Sequence, residues 1–243
     1  MDRRANPDEK RGHLRVLSTN LWRGRANREA LGRKIEELGV DVIAVQELSA
    51  GQAGVISELL PHGKLEPTPD CAGMGIALRH PGNVERLPMR HRDARVVELL
   101  PGEWPDLPDR IELVNVHIQA PHCFPQWRSL ARRREQLRAL KAYLEAVPRR
   151  RRVVIGDFNA TPIWPVYRAL ASRLDDAAKL HAELTGRRPA RTWGPWHGAP
   201  RLLRIDHAFL CGLGVDRFEV VALAGSDHSG ILIDLRIGPG RRA

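Results

Sequence analysis

The sequence predicts one domain of α/β or layered β class, and three observations carry that expectation. Its 243 residues are 42% hydrophobic, enough for a single large core. Short apolar runs, among them D-V-I-A-V-Q-E ending at Glu47 and R-V-V-I-G-D ending at Asp157, are bounded by Gly or Pro, as buried strands are. Between them lie segments whose apolar residues recur every three or four positions, the spacing of a helix face.

Taken in order, residues 1–12 carry Arg3, Arg4, Lys10 and Arg11 and read as a loose basic arm. Residues 14–19 alternate as a strand ending at Asn20. Asn27 caps a helix with Leu31, Ile35 and Leu38 on one face, and Gly39 closes it. Residues 40–46 form a second buried strand with Glu47 at its end. Ser49 and Gln52 have capping-box spacing for a helix through Leu60, stopped by Pro61 and Gly63. The stretch 64–117 is β-rich, with strands expected at 75–79, 95–100 and 111–117. A long helix follows over 126–147. Residues 152–155 make a strand that Gly156 breaks, leaving Asp157 and Asn159 just past its end. A helical stretch spans 167–184, and a Gly/Pro-rich loop carries Trp193 and Trp196. Strands at 202–206, 218–223 and 231–237 complete a single domain over 13–238, with a tail at 239–243. No internal repeat or long linker divides it.

Composition excludes several classes. No apolar run approaches the ~18 residues of a membrane helix, and Met1 to Arg15 lacks the apolar centre of a signal peptide, so an unexported, cytoplasmic monomer is expected. Cys71, Cys123 and Cys211 are odd in number and far apart, which argues against a disulfide framework or a thiolate zinc site. The formal net charge of +10 suits a polyanionic partner such as nucleic acid or an anionic membrane surface.

Four apolar runs end in a carboxylate: Glu47, Asp157, Asp206 and Asp227. Asp157 and Asn159 alone also fit a turn in which both bond local backbone. If the strands lie side by side, however, the acids meet at one rim, where a cation or a proton must offset their repulsion, and the arrangement implies a metal. Oxygen ligands favour Mg²⁺ or Mn²⁺ over zinc. His117 closes the run V-N-V-H, and His207 and His228 follow Asp206 and Asp227 directly.

With T-N at Asn20, Q-E at Glu47, N-V-H at His117, G-D-F-N at Asp157 and Asn159, R-I-D-H at Asp206 and S-D-H at Asp227 and His228, the chain resembles the endonuclease/exonuclease/phosphatase superfamily, the deoxyribonuclease I-like fold. The motifs arrive in the family's order over nearly the whole chain. The resemblance implies a four-layered α/β/β/α sandwich, two mainly antiparallel β-sheets packed face to face with flanking helices, and metal-dependent hydrolysis of phosphate esters. Position by position, it implies that Glu47 is the principal metal ligand, with Asn20 and Asp227 beside it. Asp157 and Asn159 would orient water and phosphate, and Asp206 would fix His228 for work on the phosphate. His117 stands where many abasic-site nucleases of the family have tyrosine, which lowers that substrate reading. Its usual glutamate partner is missing, because Gly73-Met74-Gly75 occupies the equivalent stretch.

The basic residues Arg149, Arg150, Arg151 and Arg152 precede the Asp157 strand, about 15 to 20 Å from its active tip at about 3.3 Å per residue, and are expected to anchor a long polyanion. Trp193 and Trp196 are candidates to stack on a base or enter a lipid interface, or to cover the sandwich edge. The expected activity is a Mg²⁺- or Mn²⁺-dependent phosphodiesterase acting on DNA. A phospholipid or sugar-phosphate esterase is the alternative, and a non-catalytic binding module is disfavoured because every principal acid is present.

Overall fold

A computed structural model describes residues 12–148 and 151–238. Twelve strands form two six-stranded sheets. In the first, β11 (Gly214–Val221), β12 (Gly230–Arg236), β1 (His13–Asn20), β2 (Val42–Gln46), β4 (Met74–Leu78) and β3 (His62–Glu66) lie side by side in that order. The second runs β5 (Val84–Leu87), β6 (Ala94–Leu99), β7 (Ile111–His117), β8 (Arg152–Asp157), β10 (Asp206–Cys211) and β9 (Asp175–Asp176). Neighbours are antiparallel except for one parallel pair at the centre of each sheet, β1 with β2 and β7 with β8.

Side chains alternate across these strands as the pleat requires. Leu14, Val16, Val42, Ala44, Val153 and Ile155 enter one core between the sheets. Leu17, Ile43 and Val45 point outward to meet α1 (Arg28–Leu38) and α2 (Ala50–Leu59). On the other side Val114, Val116 and Val154 pack beneath α3 (Gln126–Ala146) and α4 (Pro165–Ala171). Ala177 of α5 (Ala177–Thr185) enters the inter-sheet core. The result is the expected four-layered α/β/β/α sandwich. Each buried Val, Leu or Ile contributes roughly 1.5–3 kcal/mol of transfer free energy, which is why the purely apolar runs hold the middle of the sheets.

The helix signals held in detail. Asn27 Oδ1 accepts from Ala30 N at 2.7 Å, Gly39 ends α1 in the left-handed region at φ 59°, and Ser49 N donates to Gln52 Oε1 at 3.3 Å. Four expectations needed correction. Gly12, assigned to the arm, belongs to the fold: its N–H reaches Asp106 O at 2.8 Å and its carbonyl accepts from Ile237 N at 2.6 Å. The helix expected over 167–184 is two helices, because Asp175 and Asp176 leave to pair with β10. Residues 202–205 precede β10 rather than forming a strand, so Asp206 opens that strand instead of closing one. Gly156 does not break β8: the strand passes through it at φ 139°, and a Cβ there would lie 2.1 Å from Val116 O.

This topology brings the acids together. Asn20, Gln46, His117 and Asp157 are the last residues of the two parallel pairs. β10 and β12 run antiparallel to β8 and β1, so their first residues reach the same rim. Just below it the sheets are tied: Gln46 Nε2 donates to Asn115 Oδ1 at 2.6 Å, while Asn115 Nδ2 donates to Val45 O at 3.0 Å and Gly75 O at 2.9 Å.

Candidate active site

A cleft of about 400 Å³ opens over this rim, with Glu47, His117, Asp157, Asn159, Asp227 and His228 in its wall. Asn20 and Asp206 stand immediately behind, both buried. Asp157 is the hub. Its Oδ2 accepts from Asn20 Nδ2 at 3.0 Å and Asn159 Nδ2 at 2.9 Å, and its Oδ1 accepts from Asn159 N at 2.8 Å. The local turn that Asp157 and Asn159 also suggested is therefore present, with Asn159 at φ 48°, and it is what aims both side chains. His117 Nε2 lies 3.5 Å from Asp157 Oδ2 and His228 Nε2 lies 3.9 Å from it.

Asp206 spans His228 Nδ1 with both oxygens, at 3.1 and 3.0 Å. Burial disfavours the His228 cation, but Asp206 and then Asp157 outweigh it, and the His228 pKa is raised. Burial raises the Asp157 pKa, with the neighbouring Asp206 charge adding to it and His228 opposing. Burial drives His117 well below its ordinary value, with Arg92 next: Arg92 Nη1 sits 2.8 Å from His117 Nε2. A donating Arg92 requires Nε2 as acceptor and puts the proton on Nδ1, which is buried with no hydrogen-bond partner.

Two oxygen donors remain free for a cation. Asp227 Oδ2 accepts from Trp193 Nε1 at 3.1 Å, while its Oδ1 is buried without a hydrogen-bond partner. Glu47, held in the left-handed region at φ 54°, meets Arg23 Nε at 3.9 Å and His117 Nε2 at 3.7 Å, both beyond hydrogen-bond length. The donor set fits a hard divalent ion. Asp157, Asp206 and His228 also form a buried cluster of ligand-type atoms within 4.8 Å of one another. In that trio Asp206 is engaged with His228, and Asp157 with the side-chain amides of Asn20 and Asn159, so both carboxylates already have hydrogen-bond partners.

Several supports had no clear sequence signal. The Arg201 guanidinium holds the loop carrying Asp227 and His228, with Nη1 on Asp227 O at 2.6 Å and Nε on Ser229 Oγ at 2.8 Å. On α3 the buried residues Ser129, Arg133 and Gln136 grip the chain that follows His117. Ser129 and Arg133 donate to the carbonyls of Ala120 and Gln119, and Gln136 Oε1 accepts from Gln119 N at 2.9 Å. Arg133 also stacks on Trp164, a cleft residue, at 5.1 Å. The helix that reads as merely basic therefore has a polar buried seam, which i, i+4, i+7 spacing of Ser, Arg and Gln can signal. Trp22 and Arg23 precede Gly24 in three successive left-handed conformations at φ 48°, 52° and 80°, which carry Trp22 and Arg23 into the cleft wall.

The basic run at Arg149 to Arg152 behaves differently from expectation. Arg149 and Arg150 lie outside the described residues. Arg151 pairs with Asp109, and Arg152 is buried against Glu112 with its remaining N–H groups on the carbonyls of Leu144 and Val147. Neither is a free anchor for a polyanion, because both guanidinium groups are buried and engaged, Arg152 by the buried Glu112 and Arg151 by the half-exposed Asp109 and the Gly238 carbonyl at 2.9 Å. The cations that do face the cleft are Arg23, Arg25 and Arg92. Trp193 lines the cleft, whereas Trp196 stands outside it and is exposed.

The fold and this rim together define a phosphoesterase of the deoxyribonuclease I-like kind. Residues 17–228 match the model of the endonuclease/exonuclease/phosphatase family, and the chain belongs to that family of divalent-metal-dependent hydrolases. Its fold is similar to an endonuclease/exonuclease/phosphatase from Beutenbergia cavernae, at TM-score 0.70 and 21% identity over 96% of this chain and 74% of that one. It is similar to the catalytic domain of human Nocturnin with bound sulfate, at TM-score 0.68 and 20% identity over 93% and 94% of the two chains. A Bacteroides thetaiotaomicron mannosyl-6-phosphatase aligns at TM-score 0.68 and 17% identity over 91% and 99%. A search of curated proteins found no match. No helix among the described residues is long and apolar enough to cross a membrane.

Proposed function

We propose that the chain is a Mg²⁺- or Mn²⁺-dependent phosphodiesterase. The observation that carries the reading is the Asp206–His228 pair, with His228 Nε2 3.9 Å from Asp157, set beside the free oxygens of Glu47 and Asp227 in one cleft. Glu47 and Asp227 are the residues to hold the ion, which when bound would draw charge from the phosphate oxygens, while the expected ligand Asn20 is engaged at both ends, its Oδ1 accepting from Trp22 N at 2.9 Å and its Nδ2 donating to Asp157, and so positions Asp157. Asp157, fixed by Asn20 and Asn159 and made more basic by burial, orients the attacking water and takes its proton. His228, kept cationic by Asp206, donates from Nε2 to the phosphate oxygen that gains charge. Asn159 and His117 line the wall where the phosphate lies.

DNA is the proposed substrate, supported by the net charge of +10 and by Arg23, Arg25 and Arg92 facing the cleft. A second reading, a phospholipid, is favoured by exposed apolar side chains next to the cleft wall, with Phe124, which follows the wall residue Cys123, 94% exposed. The test is to supply plasmid, single-stranded DNA, RNA, a choline phospholipid and an inositol phosphate with Mg²⁺ or Mn²⁺. Hydrolysis of plasmid supports the first reading and release of a phosphorylated headgroup the second. Failure on every diester would overturn both.

A further inference from the structure

Of the nine large hydrophobic side chains exposed among the described residues, seven sit at 124–130, 163 and 196–203. The chain beside five of these is the wall of the cleft: Cys123 precedes Phe124, Thr161 and Trp164 bracket Ile163, Pro195 precedes Trp196, and Leu203 is itself in the wall next to Leu202, while Trp127 and Leu130 lie on α3, which begins two residues after Phe124. Phe124 is 94% exposed, Ile163 80%, Trp127 67% and Trp196 61%. Single exposed apolar residues are ordinary, but their concentration around one opening marks an interaction surface.

We infer that this rim docks on an anionic lipid bilayer, so that the cleft meets its phosphate ester at a membrane surface. The inference rests on the phosphodiesterase reading above and takes its second form, a phospholipid, over DNA on the strength of the exposed alkyl side chains. Aromatic rings beside cations are the composition of an interfacial anchor, with the rings at headgroup depth and the guanidinium groups among lipid phosphates. Here Arg128 lies over Trp127 at 5.0 Å and Arg25 over Trp22 at 4.5 Å, on a chain of net charge +10. Nucleic acid accounts for the rings and the arginines but not for Ile163, Leu202 and Leu203, whose alkyl groups have no π-face for a base and gain only from hydrocarbon.

The test is co-sedimentation of the full chain with vesicles of phosphatidylcholine, alone or with about 30 mol% phosphatidylglycerol to supply surface charge. The comparison is Phe124→Ser/Ile163→Ser/Trp196→Ser, with folding checked by thermal unfolding and Ile163→Asp alone as the fallback if the triple variant does not fold. Binding to the anionic vesicles, weakened at least about tenfold in the triple variant, is expected. Absence of binding, equal binding by the variant, or retention on duplex DNA but not on vesicles would overturn the inference. Hydrolysis of soluble bis(4-nitrophenyl) phosphate by the unaltered protein separates the two readings. Turnover without vesicle binding sinks only the docking surface, and vesicle binding without turnover sinks only the phosphodiesterase.

Discussion

At the scale of single residues, the site is a set of pKa shifts produced by burial and answered by partners. Asp206 has one evident task, to hold His228 Nδ1 and keep the ring cationic. Asp206→Asn removes the charge that raises the His228 pKa, so the alkaline limb of the kcat profile should move to lower pH; an unmoved limb would separate the two residues. His207 is the opposite case, buried among Phe158, Tyr167 and Phe209 with Nε2 2.7 Å from Ala160 O. Burial lowers its pKa to about 4 from an ordinary 6.5. The unfolded chain therefore binds a proton below 6.5 that the folded chain refuses until about 4, and stability is lost as pH falls through that window. The loss approaches about 3 kcal/mol for this one group. Urea unfolding of His207→Phe from pH 7 to 4 should show a shallower decline than the unaltered protein. Identical slopes would mean that His207 is not held neutral.

At the scale of elements, β8 shows how one strand serves two ends. Its last residue is Asp157, and its first, Arg152, is locked to Glu112 of β7 and to carbonyls at the end of α3. Arg152→Ser removes a buried guanidinium from Glu112, which keeps the Tyr143 hydroxyl at 2.7 Å, and frees the carbonyls of Leu144 and Val147, so about 3 kcal/mol of stability should be lost in chemical denaturation. A loss under about 1 kcal/mol would return Arg152 to the surface role its sequence suggests. The sequence shows why that role was misread: four consecutive arginines look alike, and only the strand register buries position 152 opposite Glu112. Elements with a strong local signal were legible, such as the Asn27 cap, the Ser49–Gln52 box and the apolar runs at the sheet centres. The edge strands β3 and β5 were not, because H-G-K-L-E and V-E-R-L have the polar composition that protects an open edge. Arg133, Arg201 and Arg92 were invisible for a different reason. Their partners lie far away in sequence, so nothing local distinguishes them from solvated cations.

At the scale of the whole molecule, the acids of the site come from both sheets, and the face-to-face packing brings them within reach of one another. Asn20 and Asp227 belong to the β1 and β12 side, Asp157 and Asp206 to β8 and β10, and the Gln46–Asn115 bond ties the two halves beneath them. The convergence of Glu47, Asp157, Asp206 and Asp227 was readable from strand ends alone. That Asp206 opens an antiparallel strand and Asp227 sits in the loop before β12, rather than each closing a strand, was not, since either direction puts an acid at the same rim. The account stands on that rim holding a divalent ion beside Asp157. The most direct measurement is the turnover of bis(4-nitrophenyl) phosphate by the purified chain and its Asp157→Asn variant, in Mg²⁺ or Mn²⁺ and in EDTA. The account predicts no turnover in EDTA, recovery on adding either ion, and a loss of about a thousandfold or more in the variant with its unfolding transition retained. Full turnover in EDTA, or near-normal turnover by Asp157→Asn, would contradict it.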